Sequence, residues 1–134
     1  MKRIELPAHI RGVFFDSAWE TTKVWSLPTS ASSFPMEALA WHLDLTIWST
    51  MRGEGRFDLA PATVLSSPEL YPRHWAKIQA ADLAYPLEMF GLGGRWVILD
   101  GYHRLCRHVL LDNHQVPTRL HPAEIWTYVE VASD

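Results

Sequence analysis

One stretch of the sequence carries most of the information on the fold, Val97-Ile98-Leu99-Asp100-Gly101-Tyr102-His103-Arg104-Leu105. Its first three residues form an apolar run that predicts a buried strand, and Gly101 closely follows that strand. From Tyr102 to Leu111 the apolar side chains recur at helical spacing. The stretch therefore predicts a strand that passes through a glycine directly into a helix.

A helix that begins directly after a strand presents its free first-turn amides and the positive end of its dipole at one point. Such a helix start binds anions, and a glycine lets a phosphate approach the backbone closely. His103 and Arg104 add donors in the first turn, and Arg107 lies one turn further along the helix. Asp100 is a candidate to accept a proton from a hydroxyl or to hold a metal ion. The alternative is an ordinary Asp-Gly turn, with Asp100 capping the helix and the basic side chains solvated.

The segments around this stretch predict a small α/β (or α+β) domain. Upstream, Pro86–Phe90 is extended, and Gly91–Gly94 predicts the turn of a hairpin. Downstream, Val116–Leu120 predicts another strand, and Ala123–Val131 contains a last element of undecided type. A helix is also expected from Pro72 to Ala81, because proline favours the first turn of a helix.

The first third of the chain gives weaker signals. Two short strands are expected, at Val13–Phe15 and Lys23–Leu27, and the hydroxyl-rich Thr29–Ser33 is expected to form a loop. We therefore expect an N-terminal extension, residues 1–35, followed by the main domain, residues 36–134.

The residues from Leu39 to Trp48 alternate between apolar and polar side chains, which predicts a half-buried strand. His42 and Asp44 would share its polar face, about 7 Å apart. An acid beside an imidazole can supply the base for a substrate hydroxyl, so both are candidate catalytic residues. The alternative, which the pattern favours, is a hydrated strand face. Met51–Gly55 is expected to break regular structure through its two glycines.

The composition excludes several classes of protein. A chain of 134 residues with 48% hydrophobic residues forms one folded domain, and its net charge of −3 argues against nucleic-acid binding by bulk charge. The single cysteine, Cys106, cannot form an intrachain disulfide and is expected to be a small core residue. The sequence has neither an N-terminal signal peptide nor a run of 18 apolar residues, so we expect a cytoplasmic protein.

The six residues from Asp100 to Leu105 resemble the signature of the ParB/sulfiredoxin superfamily, whose members carry Gly-x-His-Arg or Gly-x-Arg-Arg after a buried strand. Asp82–Leu87 resembles the step before the family hairpin, and Val116–Leu120 resembles the strand after its helix. The resemblance covers about residues 39–120. It implies a small ParB/sulfiredoxin-like domain that binds nucleotide phosphates at the start of the helix.

The resemblance implies an enzyme, either an ATP- or other NTP-dependent phosphotransferase, such as a small-molecule kinase, or a nucleotidase. Its cofactor would be a nucleoside triphosphate, ATP or CTP, together with Mg²⁺. The expected phosphate-binding residues are Gly101, Tyr102, His103, Arg104 and Arg107. Asp100 would be the base or the Mg²⁺ ligand, and His103 is a second candidate for catalysis. The partners would be the nucleotide and a small-molecule acceptor, with no membrane or nucleic acid, while a homodimer is left open.

Two departures from the family pattern narrow this expectation. Tyr102 stands where sulfiredoxins have their reactive cysteine, and the chain ends before the helix-turn-helix that follows this domain in partition proteins. We therefore expect neither sulfiredoxin chemistry nor chromosome partitioning. The main alternative is a non-catalytic module in which a nucleotide or other anion tunes association with a protein partner. Nuclease activity is a third reading, disfavoured because the sequence has no cluster of carboxylates.

Overall fold

The computed structural model describes residues 5–50 and 57–131, so the break predicted at Met51–Gly55 lies outside the described residues. Within them, a four-stranded mixed sheet is combined with six α-helices, which confirms the predicted mixture of α and β structure. The strands are β1 (Ala31–Pro35), β2 (Leu87–Leu92), β3 (Arg95–Asp100) and β4 (Gln115–His121). The α-helices are α1 (Thr21–Trp25), α2 (Met36–Leu39), α3 (Pro61–Ser66), α4 (Pro72–Ala80), α5 (Tyr102–Leu110) and α6 (Trp126–Val129). In this part of the chain no helix is both long enough and apolar enough to cross a membrane.

The sheet has the strand order β1-β4-β2-β3. β2 and β3 form an antiparallel hairpin, and its turn contains Gly93 and Gly94, which have φ angles of 59° and 81°. The chain then runs through α5 into β4, which lies parallel to β2, while β1 is antiparallel to β4. The hairpin, the helix after it and the following strand were all predicted, as was the helix now seen as α4.

The two faces of the sheet are covered by different parts of the chain. Side chains alternate along a strand, so β3 sends Ile98 to one face and Val97 and Leu99 to the other. Leu105 of α5 packs on the first face, and Val24 of α1 packs on the second. The sheet therefore lies between α5 on one face and α1 together with α6 on the other.

The predictions for the first third of the chain are largely wrong. Lys23–Leu27 contributes to α1 rather than to a strand, and Val13–Phe15 contains only a turn and an isolated bridge at Phe14. Part of the predicted loop Thr29–Ser33 belongs to β1, whose backbone pairs with β4 from Ala31 to Pro35. This edge strand has mostly exposed side chains, so its stability comes from backbone hydrogen bonds that leave no apolar pattern in the sequence.

The strand predicted from Leu39 to Trp48 is also wrong. The chain forms a 3₁₀ helix at Ala40–Asp44. His42, which the alternation placed on a polar face, is fully buried, whereas Asp44 is exposed. The buried position is possible because the imidazole satisfies two backbone groups: Nδ1 donates to the carbonyl oxygen of Leu39 (2.9 Å) and Nε2 accepts from the amide of Ile98 (3.1 Å).

Candidate functional site

The start of α5 forms part of the wall of a cavity of about 820 Å³. This volume lies within the range of small-molecule binding sites, roughly 300–1,000 Å³. Five of the predicted site residues line the cavity: Asp100, Gly101, Tyr102, His103 and Arg104. The other walls come from α1, from α4 and the loop after it, and from strands β2 and β4. The cavity therefore joins segments that are far apart in the sequence.

Gly101 is required by its backbone conformation and by the packing behind it. Its φ of 122° lies in a region that side-chain-bearing residues rarely adopt, and an added Cβ would lie 2.6 Å from Cδ2 of Leu87. The glycine thus brings α5 directly against β2. As the N-cap residue it offers no side-chain acceptor, so the first-turn amides of residues 102–104 have no partner within the helix.

Arg104 and Asp100 form an ion pair across the first turn of α5. The Nη2 atom of Arg104 lies 3.1 Å from Oδ2 of Asp100, and Nη1 donates to the carbonyl oxygen of Pro86 at 2.5 Å. The Asp100 side chain is 39% exposed, whereas that of Arg104 is 16% exposed. The carboxylate is therefore fixed in direction while remaining accessible from the cavity.

His103 is hydrogen-bonded to His74 of α4, with 3.0 Å between Nε2 of His103 and Nδ1 of His74. The indole of Trp48 stacks on both imidazoles, with ring centroids 4.3 Å and 4.4 Å away. Burial, which is the largest cause, and the nearby His74 and cationic side chains together lower the pKa of His103 to about 4. His103 is therefore neutral at pH 7. It can donate from Nδ1 only when His74 donates to its Nε2, so the two tautomers are coupled.

A second charged group lines the cavity from the sheet side. Glu88 of β2 is 4% exposed; its Oε2 lies 3.2 Å from Nη1 of Arg119, and its Oε1 lies 2.7 Å from Nε2 of His121. Nδ1 of His121 is 2.8 Å from the hydroxyl of Thr29. Sequence reasoning missed this network. An acid inside the otherwise apolar run Leu87–Phe90 is the signal that could have found Glu88, because a buried charge requires partners.

The structure places three of the predicted site residues away from the cavity. His42 is held in the core by its two backbone partners, and Asp44 is exposed on the 3₁₀ helix. Arg107 points to α4, where its Nη1 donates to the carbonyl oxygen of Gln79. The predicted pairing of His42 and Asp44 on one strand face is therefore wrong, because the segment is helical.

Two other residues of α5 are core residues. Tyr102 contributes to the cavity wall, but it is 6% exposed and packs with the apolar cluster beneath the sheet. Burial raises the pKa of its hydroxyl, which has no hydrogen-bond partner among the described residues. Cys106 is fully buried, and burial raises the pKa of its thiol to about 12, so the expectation of a core cysteine is confirmed.

No protein-family model, curated protein or solved structure matches the chain. Residues 5–50 and 57–131 contain no group of three or more His, Cys, Asp or Glu side chains that could hold a metal ion. The geometry of the cavity and the motif at the start of α5 are therefore the features that indicate a function.

Proposed function

We propose that this cavity binds a nucleoside triphosphate, with its phosphates at the start of α5, and that the chain is a nucleotide-dependent phosphotransferase or NTP hydrolase with a ParB/sulfiredoxin-like fold. One observation carries the proposal: the helix start at Gly101–Arg104 forms part of the wall of a cavity of about 820 Å³. First-turn amides without helical acceptors, together with Arg104, are groups that bind phosphate oxygens.

The topology around the motif supports the proposed family. The chain runs through the β2–β3 hairpin, Gly101, α5 and β4, and this is the order of elements that the resemblance implies. The parallel placement of β4 beside β2 puts α5 in the crossover between the two strands. The start of α5 therefore lies at the end of β3, beside the first residues of β2.

The charges in the wall bear on how a triphosphate would bind. The described residues that line the cavity include three basic side chains, Lys77, Arg104 and Arg119, and three acidic ones, Asp82, Glu88 and Asp100. Because these charges balance, the wall alone does not neutralise a triphosphate, so we propose that the nucleotide binds with Mg²⁺. Mg²⁺ is usually held by substrate phosphates and one or two carboxylates, and Asp100 is the accessible carboxylate beside the helix start.

Asp100 is also the base that we propose for transfer to an acceptor hydroxyl. Its carboxylate lines the cavity, and its ion pair with Arg104 holds it next to the proposed phosphate site. A carboxylate in this position would accept the proton of the acceptor hydroxyl as the oxygen attacks the terminal phosphate. Glu88 is less accessible, because both of its oxygens are engaged by Arg119 and His121.

The first test is nucleotide binding by calorimetry, with ATP, CTP and inorganic triphosphate in the presence and absence of Mg²⁺. Arg104→Ala should weaken binding by about 1.5–3 kcal/mol, the value of a charge-assisted hydrogen bond. Arg107→Ala is the matched control, since this arginine on the same helix bonds Gln79 instead of lining the cavity. An equal loss in both variants, or no loss in Arg104→Ala, would contradict the proposed position of the phosphates.

The second test separates an enzyme from a binding module. Asp100→Asn keeps the shape of the side chain and removes its charge, so turnover at saturating nucleotide and Mg²⁺ should fall by about 10²–10⁴. Asp44→Asn is the matched control, because Asp44 is exposed elsewhere. Undiminished turnover in a folded Asp100→Asn variant would show that Asp100 is not a catalytic residue. A wild-type chain that binds nucleotides and turns none of them over would instead support the non-catalytic module.

A further inference from the structure

Two aromatic side chains at the cavity are unusually exposed. Trp25 at the end of α1 is 63% exposed, and Tyr85 in the loop before β2 is 64% exposed. Both line the same cavity as the start of α5. A large exposed aromatic ring leaves apolar surface in water, and two such rings at one cavity mark a surface that a ligand can cover.

A partly buried arginine, Arg119, bonds the backbone on either side of Trp25. Val24, its neighbour in α1, is fully buried, so the helix is anchored in the core beneath the exposed indole. Arg119 of β4 donates to the carbonyl oxygens of Leu27 and, at 2.9 Å, Thr29, just after α1. The same guanidinium is paired with Glu88 in the cavity wall. The position of Trp25 is therefore coupled to the sheet.

Tyr85 lies in a turn that is tied to the proposed phosphate site. Oδ1 of Asp82 accepts from the amide of Ala84 at 2.9 Å, and the carbonyl oxygen of Asp82 accepts from the amide of Tyr85 at 3.3 Å. The next carbonyl in the chain, that of Pro86, accepts from Arg104. Arg104, the side chain expected to bind phosphate, is thus hydrogen-bonded to the residue that directly follows Tyr85.

We propose that Trp25 and Tyr85 form an aromatic subsite that binds the base of the nucleotide whose phosphates lie at the start of α5. This inference rests on the proposed function, because it assumes a ligand with a phosphate group at that helix. Aromatic rings stack on the π-face of any base, so the subsite adds affinity without requiring one particular base. It also gives a function to α1, which lies outside the part of the chain that resembles the family.

The test compares ATP with inorganic triphosphate, both with Mg²⁺, by calorimetry on the full chain. Wild type should bind ATP more tightly than triphosphate. Trp25→Ala and Tyr85→Ala should each weaken ATP binding by about tenfold to a hundredfold and leave triphosphate binding unchanged. Trp25→Phe keeps a ring and should stay within about threefold of wild type. The matched control is Tyr128→Ala, which removes an aromatic ring that is 54% exposed outside the cavity.

Each result bears on one of the two proposals. If wild type binds triphosphate as tightly as ATP, or if Trp25→Ala weakens both ligands equally, the aromatic subsite is overturned and the phosphate site stands. If wild type binds neither ligand, the proposed function fails and the subsite fails with it. If Trp25→Ala changes the oligomeric mass in sedimentation but leaves ATP affinity unaltered, the ring belongs to an interface between copies, which also overturns the subsite. The melting temperatures of the variants should equal that of wild type, because the substituted side chains are exposed.

Discussion

His42 should make the protein sensitive to mild acid. Its Nε2 accepts a hydrogen bond from the amide of Ile98, so a proton on Nε2 would face another N–H group. Burial is the largest cause that lowers the pKa of His42 to about 4, from 6.5 in an exposed imidazole. Between these two values the unfolded chain binds a proton that the folded chain does not. The stability contributed by neutral His42 is therefore present above pH 6.5 and is lost as the pH falls towards 4.

The size of this effect follows from the two pKa values. Between pH 7 and pH 5, a shift of the pKa from 6.5 to about 4 corresponds to a loss of about 2 kcal/mol in the free energy of unfolding. His42→Gln retains a donor and an acceptor but cannot titrate in this range. The difference in stability between wild type and His42→Gln should therefore shrink by about 2 kcal/mol from pH 7 to pH 5.

Urea unfolding at pH 7, 6 and 5, followed by tryptophan fluorescence, measures this difference. His114→Gln is the matched control, because it replaces an exposed imidazole in the same way. If the free energy of unfolding changes with pH in the same way for wild type and His42→Gln, the conclusion that His42 is buried and neutral is refuted. Loss of turnover in a folded His42→Gln variant would instead restore the sequence-based hypothesis that His42 is a catalytic base.

Three further substitutions, the first with a control variant at a second glycine, test the packing of the fold by urea unfolding at pH 7.5. Gly101→Ala should lower the free energy of unfolding by roughly 2–6 kcal/mol, because the added Cβ would lie 2.6 Å from a carbon of Leu87 and φ is 122°. Gly94→Ala is its control: this position has open space around it, so the loss should be only about 1–2 kcal/mol. Cys106→Ser should lower the free energy of unfolding by about 1–3 kcal/mol, because it buries a hydroxyl. Turnover per folded molecule should not change, and a loss of turnover beyond tenfold would show a role for the thiol. Glu88→Ala should lower the free energy of unfolding by about 3–5 kcal/mol, because Arg119 would lose its buried partner. An unchanged free energy of unfolding would mean that the ion pair adds no net stability.

The central part of the fold could be predicted from the sequence because its signals are local. The glycines at 91–94 mark a hairpin turn, and the apolar run before Gly101 marks a buried strand. β1 could not be predicted in the same way, since its pairing with β4 joins residues 80 to 88 positions apart. The 3₁₀ helix around His42 was missed because its alternating pattern matches that of a strand, and only the packed structure shows which backbone groups the imidazole satisfies.

Only those residues of the candidate site that are close together in the sequence could be predicted. Asp100 and Arg104 are four residues apart, so a helix start places them together without any knowledge of the tertiary fold. Trp25, Tyr85 and Arg119 reach the same cavity only through the packing of α1 and β4 around the hairpin. Closeness in sequence was misleading for Arg107. It lies about one turn of helix from Arg104, but its side chain bonds α4 instead of lining the cavity.

Residues 5–35, which lie outside the family resemblance, contribute to the packing that forms the cavity. In their described part, four apolar side chains are at most 6% exposed: Leu6, Ile10, Phe15 and Val24. At roughly 1.5–3 kcal/mol for each buried side chain, they contribute an amount of the same order as the net stability of a domain, about 5–15 kcal/mol. Phe15 and Val24 cover the face of the hairpin opposite α5, and Arg119 ties the end of α1 to Glu88. The segment that packs this second face is thus the segment that brings Trp25 to the cavity, so folding and the proposed ligand binding depend on the same contacts.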